Sequence, residues 1–189
     1  MRGKGLIHIY EGEGKGKTTA AVGLAVRFAG TGGKVLFAQF LKKNNSGELK
    51  SLQEIREVEL MLCSRHFGFT FQMTSEEKQE AAAYYKGYLH DVLEAAQNMA
   101  AGEPNPEGQR KSQGILLVLD EILAACHHHM VDCRELLNFL KEKPENLEIV
   151  MTGRNPAPEL SALADYITVM QKKKHPYDAG ISARQGIEW

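Results

Sequence analysis

The chain predicts an α/β fold of the RecA-like P-loop type, with a mostly parallel sheet of about six strands and helices on both faces. Three observations carry that prediction. Six short apolar runs are hydrophobic nearly throughout, as strands covered on both faces must be. Amphipathic segments separate them, so successive strands are joined by right-handed crossovers. A glycine-rich stretch, EGEGKGKTT at 11–19, stands between the first strand and the first helix.

In chain order, LIHIY (6–10) is the first strand, and TTAAVGLAVRFAG (18–30) is a helix stopped by Gly30, Gly32 and Gly33. KVLFAQF (34–40) and VELMLC (58–63) read as buried strands. The helix over 74–102 opens on Thr74-Ser75, carries acids in its first turn and closes at Gly102. Residues 103–114 hold two prolines, two glycines and no periodicity, which marks a surface loop. ILLVLD (115–120), LEIVMTG (147–153) and DYITVM (165–170) are further buried strands, with helices expected over 132–143 and 157–165. The whole of 1–189 is expected to form one domain.

Composition narrows the function. A net charge of -1 and a pI near 6.7 argue against nucleic acid or an anionic membrane as partner. No apolar run approaches the ~20 residues of a membrane span. Cys63, Cys126 and Cys133 form no CxxC pair, which fits reduced thiols and a cytoplasmic enzyme.

The glycine-rich stretch is a phosphate-binding loop with one residue missing. The usual pattern places a glycine five positions before the Gly-Lys-Thr; that position is Glu11, and the nearest glycine is Gly12. Strand, loop and helix are nevertheless in the order such a cradle needs. The backbone N–H groups of Gly12, Glu13, Gly14, Lys15 and Gly16 can surround a polyphosphate, Lys17 supplies a point charge, and Thr18 and Thr19 open the helix. Thr18 is a candidate metal ligand. The strand 115–120 ends in Asp120-Glu121, the form of a Walker B strand, so both acids are candidate metal ligands as well. ATP with Mg²⁺ or Mn²⁺ is the expected ligand pair.

From Gly12 to Trp189 the chain resembles the ATP:corrinoid adenosyltransferases of the enterobacterial P-loop type. The resemblance rests on GEGKGKTTAA (12–21), Gln39-Phe40-Leu41-Lys42 followed by Gly47-Glu48, and Gly68-Phe69-Thr70-Phe71. It continues through LDE (119–121), Thr152-Gly153-Arg154 and the tail KHPYDAGISARQGIEW (174–189). It implies transfer of the 5′-deoxyadenosyl group of ATP to the Co(I) of a corrinoid, with triphosphate as leaving group. It also implies a nucleotide held in reversed order, for which the short loop is our expected cause. Phe69 and Phe71 match aromatics that displace the lower axial ligand of Co(II), although the second is commonly Trp and the following acid-Thr is Gln72-Met73 here. Lys17 and Glu121 complete the implied catalytic set, while Arg27 and His175 match nucleotide-side positions. A homodimer and a flavoprotein reductase are implied partners. A P-loop kinase or ATPase, or a nucleotide-dependent corrinoid-binding protein, are the alternatives. His127, His128 and His129 point apart on a helix and read as a solvated turn.

Overall fold

The structure, a computed structural model, describes residues 4–68, 72–102 and 114–188. Six strands form one sheet: β1 (Ile7–Glu11), β2 (Lys34–Gln39), β3 (Val58–Leu62), β4 (Ile115–Asp120), β5 (Leu147–Gly153) and β6 (Tyr166–Val169). Their order is β3-β2-β4-β5-β1-β6, and every pairing is parallel. Side chains alternate across it. Leu36, Ala38, Leu117, Leu119, Ile149 and Met151 enter one core, whereas Val35, Phe37, Leu116, Val118 and Val150 enter the other. The central runs are therefore apolar throughout because both faces are covered, as expected.

Helix α1 (Lys17–Ala29) covers one face, burying Ala21, Ala25 and Ala29 at intervals of four. The short α2 (Gly47–Gln53) adds Leu49 and Leu52 beside it. The other face takes α3 (Ser75–Ala101), whose stripe from Ala81 through Tyr85, Leu89, Val92 and Ala96 is buried. Thr74 accepts from the Glu77 amide at 3.2 Å and its own amide donates to the Glu77 carboxylate at 2.8 Å, a complete capping box. Helices α4 (Ile122–His127), α5 (Cys133–Glu142) and α6 (Pro158–Leu163) complete that layer.

Two expectations need correction. Residues 165–170 do not form a buried strand: Tyr166, Ile167 and Val169 of β6 are each about half exposed, at 52%, 47% and 52%. An apolar run alone cannot tell a central strand from an edge strand, which pairs on one side only. Helices α2 and α4 were not anticipated, because six or seven residues are too few to establish a 3.6-residue period. The expected surface loop falls almost entirely on 103–113, outside the described residues, as do Phe69 and Phe71. Among the described residues, no helix is long and apolar enough to cross a membrane.

Candidate functional site

The chain leaves β1 at Glu11 and enters α1 at Lys17 through a turn with no slack. The Gly14 amide donates to the Met170 carbonyl at 2.6 Å, and the Met170 amide donates to the Glu11 carbonyl at 2.8 Å. The loop thus lies directly on the segment that follows β6. A Cβ on Gly12 or on Gly14 would stand 2.6 Å from that same carbonyl oxygen, so neither position accepts a side chain without moving backbone. The Lys17 ammonium folds back onto the Gly12 and Gly14 carbonyls at 2.7 and 2.9 Å. Burial pushes its pKa below the ordinary lysine value, with Glu121 opposing the shift. Polyphosphate oxygens would offer this lysine a better counter-charge than two carbonyls do. Glu13 instead points to Arg154, whose guanidinium it meets at 2.8 Å.

The ends of three neighbouring strands converge beside Thr18. Gln39 at the end of β2 pairs in register with Asp120 at the end of β4, and Thr152 is near the end of β5. Asp120 is fully buried. Its Oδ1 accepts from the Thr18 and Thr152 hydroxyls at 2.9 and 2.7 Å; its Oδ2 accepts from Lys42 Nζ at 2.6 Å and Gln39 Nε2 at 3.2 Å. A buried carboxylate requires this degree of pairing. Thr152 Oγ1 also accepts the Glu121 amide at 3.0 Å. Glu121 caps α4 with a left-handed φ of 63°, and Leu41, just ahead of Lys42, has φ 56°. Such a conformation costs a residue with a side chain about 1–2 kcal/mol, and this kind of strain collects at functional sites. Burial raises the Glu121 carboxyl above its ordinary pKa, and the Asp120 charge adds to that; Lys42, Lys17 and Arg154 pull the other way.

The atoms gathered here suit a hard divalent cation. Thr18, Asp120, Glu121 and the nearby Glu48 present only oxygen, the donor type that Mg²⁺ and Mn²⁺ prefer. Gln39 Oε1 is a buried acceptor without a hydrogen-bond donor, the kind of atom that a metal-bound water satisfies. Turning the amide over would set that oxygen against Asp120 and Glu48, which its Nε2 now approaches at 3.2 and 3.3 Å. Among the described residues, no group of three His, Cys, Asp or Glu side chains forms a ready-made metal cage.

Two cavities flank the loop. One, of about 560 Å³, is lined by Lys15, Thr18, Thr19, Lys42, Glu48 and by Gly186–Glu188 of the tail. The other, of about 530 Å³, lies between Glu11–Glu13, Arg154 and Val169–Lys172. Gly12, Glu13, Gly14, Lys15, Gly16, Lys17, Thr18, Thr19, Asp120 and Glu121 are thus gathered at one end of the sheet. Arg27 is not brought among them: it is exposed in the last turn of α1, ten residues and roughly 15 Å of helix from Lys17. His175 caps a 3-10 turn (Pro176–Ala179) through its Nδ1 and lines neither cavity. His127, the last residue of α4, and His128 and His129 just after it are exposed. Composition and spacing gave no role to Gln39, Lys42 or Thr152. Their signals are polarity at or just past the carboxyl end of an apolar strand and a place in the motifs that carry the resemblance, which assigned them no role.

The sequence model of the family described as ATP:corrinoid adenosyltransferase BtuR/CobO/CobP matches residues 3–189. Among similar curated proteins, a corrinoid adenosyltransferase of Sinorhizobium sp is 33% identical, over 98% of this chain and 81% of its own length. The corrinoid adenosyltransferase of Escherichia coli (strain K12) is 31% identical over 98% of this chain and 86% of its own. Among solved structures, EssC (ATPases 2 and 3) from Geobacillus thermodenitrificans superposes with a TM-score of 0.54 at 16% identity. It covers 96% of this chain and 35% of that one, a likeness of fold alone. With the short loop, the Asp120 strand end and the tail all inside the matched region, this chain belongs to the ATP:corrinoid adenosyltransferase family.

Proposed function

We propose that this chain transfers the 5′-deoxyadenosyl group of ATP to the Co(I) of a corrinoid and releases triphosphate. In that reaction the cobalt electron pair forms the Co–C bond at C5′. The C5′–O bond breaks, and its electron pair leaves on the triphosphate. No proton has to be moved to make the nucleophile, so the protein's task is alignment and neutralisation of the leaving group. The observation that carries the reading is the convergence of Thr18, Lys42 and Asp120 beside a loop bearing Lys15 and Lys17. Lys15, Thr18, Thr19, Lys42 and Ser51 line the cavity in which a triphosphate would lie. Thr18, Asp120 and Glu121 would hold a divalent cation, which when bound adds positive charge on the departing phosphates.

Phe69 and Phe71 are assigned, through the resemblance, to displacing the lower ligand of Co(II) so that a flavoprotein reductase can supply the electron. The free thiols Cys63, Cys126 and Cys133 suit the cytoplasm, which fractionation would check. The apolar, half-exposed β6 edge suits a homodimer, which sedimentation would check.

The test is an anaerobic reaction of protein, ATP, Mg²⁺ and chemically reduced cob(I)alamin, followed by absorbance. A light-sensitive adenosylated corrinoid is expected. ADP formed without a Co–C bond would favour a kinase or ATPase, and binding of both substrates without product a corrinoid-binding protein. Run from Co(II) with a reductase, Phe69→Ala and Phe71→Ala should lose at least about tenfold in rate, while the Co(I) reaction stays within about twofold. Equal losses in both would return the two aromatics to packing.

A further inference from the structure

Lys42 occupies a position that its sequence context does not explain. Its ammonium touches Thr18 Oγ1 at 2.8 Å and Asp120 Oδ2 at 2.6 Å. Those are two of the oxygens that would hold the divalent cation. A Mg²⁺ ion needs its ligands at about 2.0–2.1 Å, so the ion and the ammonium cannot share these oxygens. The chain is arranged to bring the lysine here. The Phe40 amide donates to the Asp120 carbonyl at 2.9 Å, extending the β2–β4 pairing by one residue. Leu41 then turns in the left-handed conformation, which returns Lys42 over the end of β4. Gln39 Oε1, buried next to the same carboxylate, is left without a donor while the ammonium is in place.

We propose that Lys42 is a stand-in cation. It neutralises Asp120 while the metal seat is empty, yields Thr18 and Asp120 to the divalent ion, and then faces the phosphates in the cavity it already lines. The inference rests on the metal-dependent reading above. Its consequence is coupling: metal entry without nucleotide displaces an ammonium that has no new partner, whereas bound polyphosphate supplies one. Metal and nucleotide therefore strengthen each other's binding, and the effect is reciprocal.

The experiment is a Mn²⁺ titration of nucleotide-free protein, with free Mn²⁺ read by electron paramagnetic resonance. Lys42→Met should bind Mn²⁺ about tenfold or more tightly than wild type, because a positive charge is gone from the seat. Lys42→Arg should not, and Asp120→Asn placed on Lys42→Met should remove the gain. A second readout uses the unaltered protein: saturating Mn²⁺ alone should speed acylation of Lys42 severalfold, measured by peptide mass spectrometry, and adding ATP should protect it again. Unchanged or weaker Mn²⁺ affinity in Lys42→Met, or an acylation rate indifferent to Mn²⁺, overturns the inference even if adenosyl transfer is normal. Tighter Mn²⁺ binding in a protein that transfers no adenosyl group would instead sustain the Lys42 assignment and defeat the proposed function.

Discussion

Glu121 combines two unfavourable features, a left-handed backbone and a carboxylate that burial and the Asp120 charge both oppose. Neither improves the folded chain, so both point to a ligand that repays them. Glu121→Gln removes the charge and keeps the shape. It should raise the melting temperature of the ligand-free protein by about 2–4 °C, the shift that about 1 kcal/mol produces at this size. Adenosyl transfer should fall by at least about a hundredfold, in the range seen on losing an electrostatic group at a reaction centre. A melting temperature that drops together with activity would make Glu121 a structural residue. Legibility at this scale follows sequence distance. Lys17, Thr18, Asp120 and Glu121 are readable because their signals are local strings, GKT and an apolar run ending in Asp-Glu. Gln39, Lys42 and Thr152 meet Asp120 only through strand pairing, and a single sequence does not state which strands are neighbours. Arg27 is the opposite case. A position match without a distance places it in the nucleotide site, and the length of α1 takes it away.

The element that best explains the chemistry is the loop between β1 and α1. Its missing residue leaves a turn that rests on Met170, with Gly12 and Gly14 pressed against that carbonyl. Under the proposed function, Met170, just past β6, would set how far the loop amides reach along a phosphate chain. Inserting one residue after Glu11 would let the loop bulge off Met170. Transfer should then fall by about a hundredfold, the cost of a misplacement near 1 Å, while the ATP dissociation constant moves much less. Equal loss of binding and transfer would separate the short loop from the choice of bond. The helices were less evenly legible than the strands. α1 and α3 carry long periodic stripes and α3 a capping box, whereas α2 and α4 are too short for a period, and α4 starts on the left-handed Glu121.

Across the molecule, the sheet order explains how one site draws on distant segments. β5 lies between the loop strand β1 and the Asp120 strand β4; Thr152 near its end pairs in register with Tyr10 of β1, and its hydroxyl bonds Asp120 and the Glu121 amide. All six strands run the same way, so their carboxyl ends form one rim on which the loop, the candidate metal ligands and the tail meet. The alternation of apolar runs and helices was enough to predict that architecture; which runs lie at the edges was not, and β6 is exposed for that reason. The cut proposed for this rim falls at C5′–O and leaves the phosphate chain intact. The most direct measurement uses ATP labelled with ¹⁸O at the atom bridging C5′ and the α-phosphorus, with chemically made cob(I)alamin as acceptor. One labelled tripolyphosphate is expected for each adenosylated corrinoid formed. Label retained in ADP or AMP, with orthophosphate or pyrophosphate as the other product, or in adenosine beside unlabelled tripolyphosphate, would contradict it.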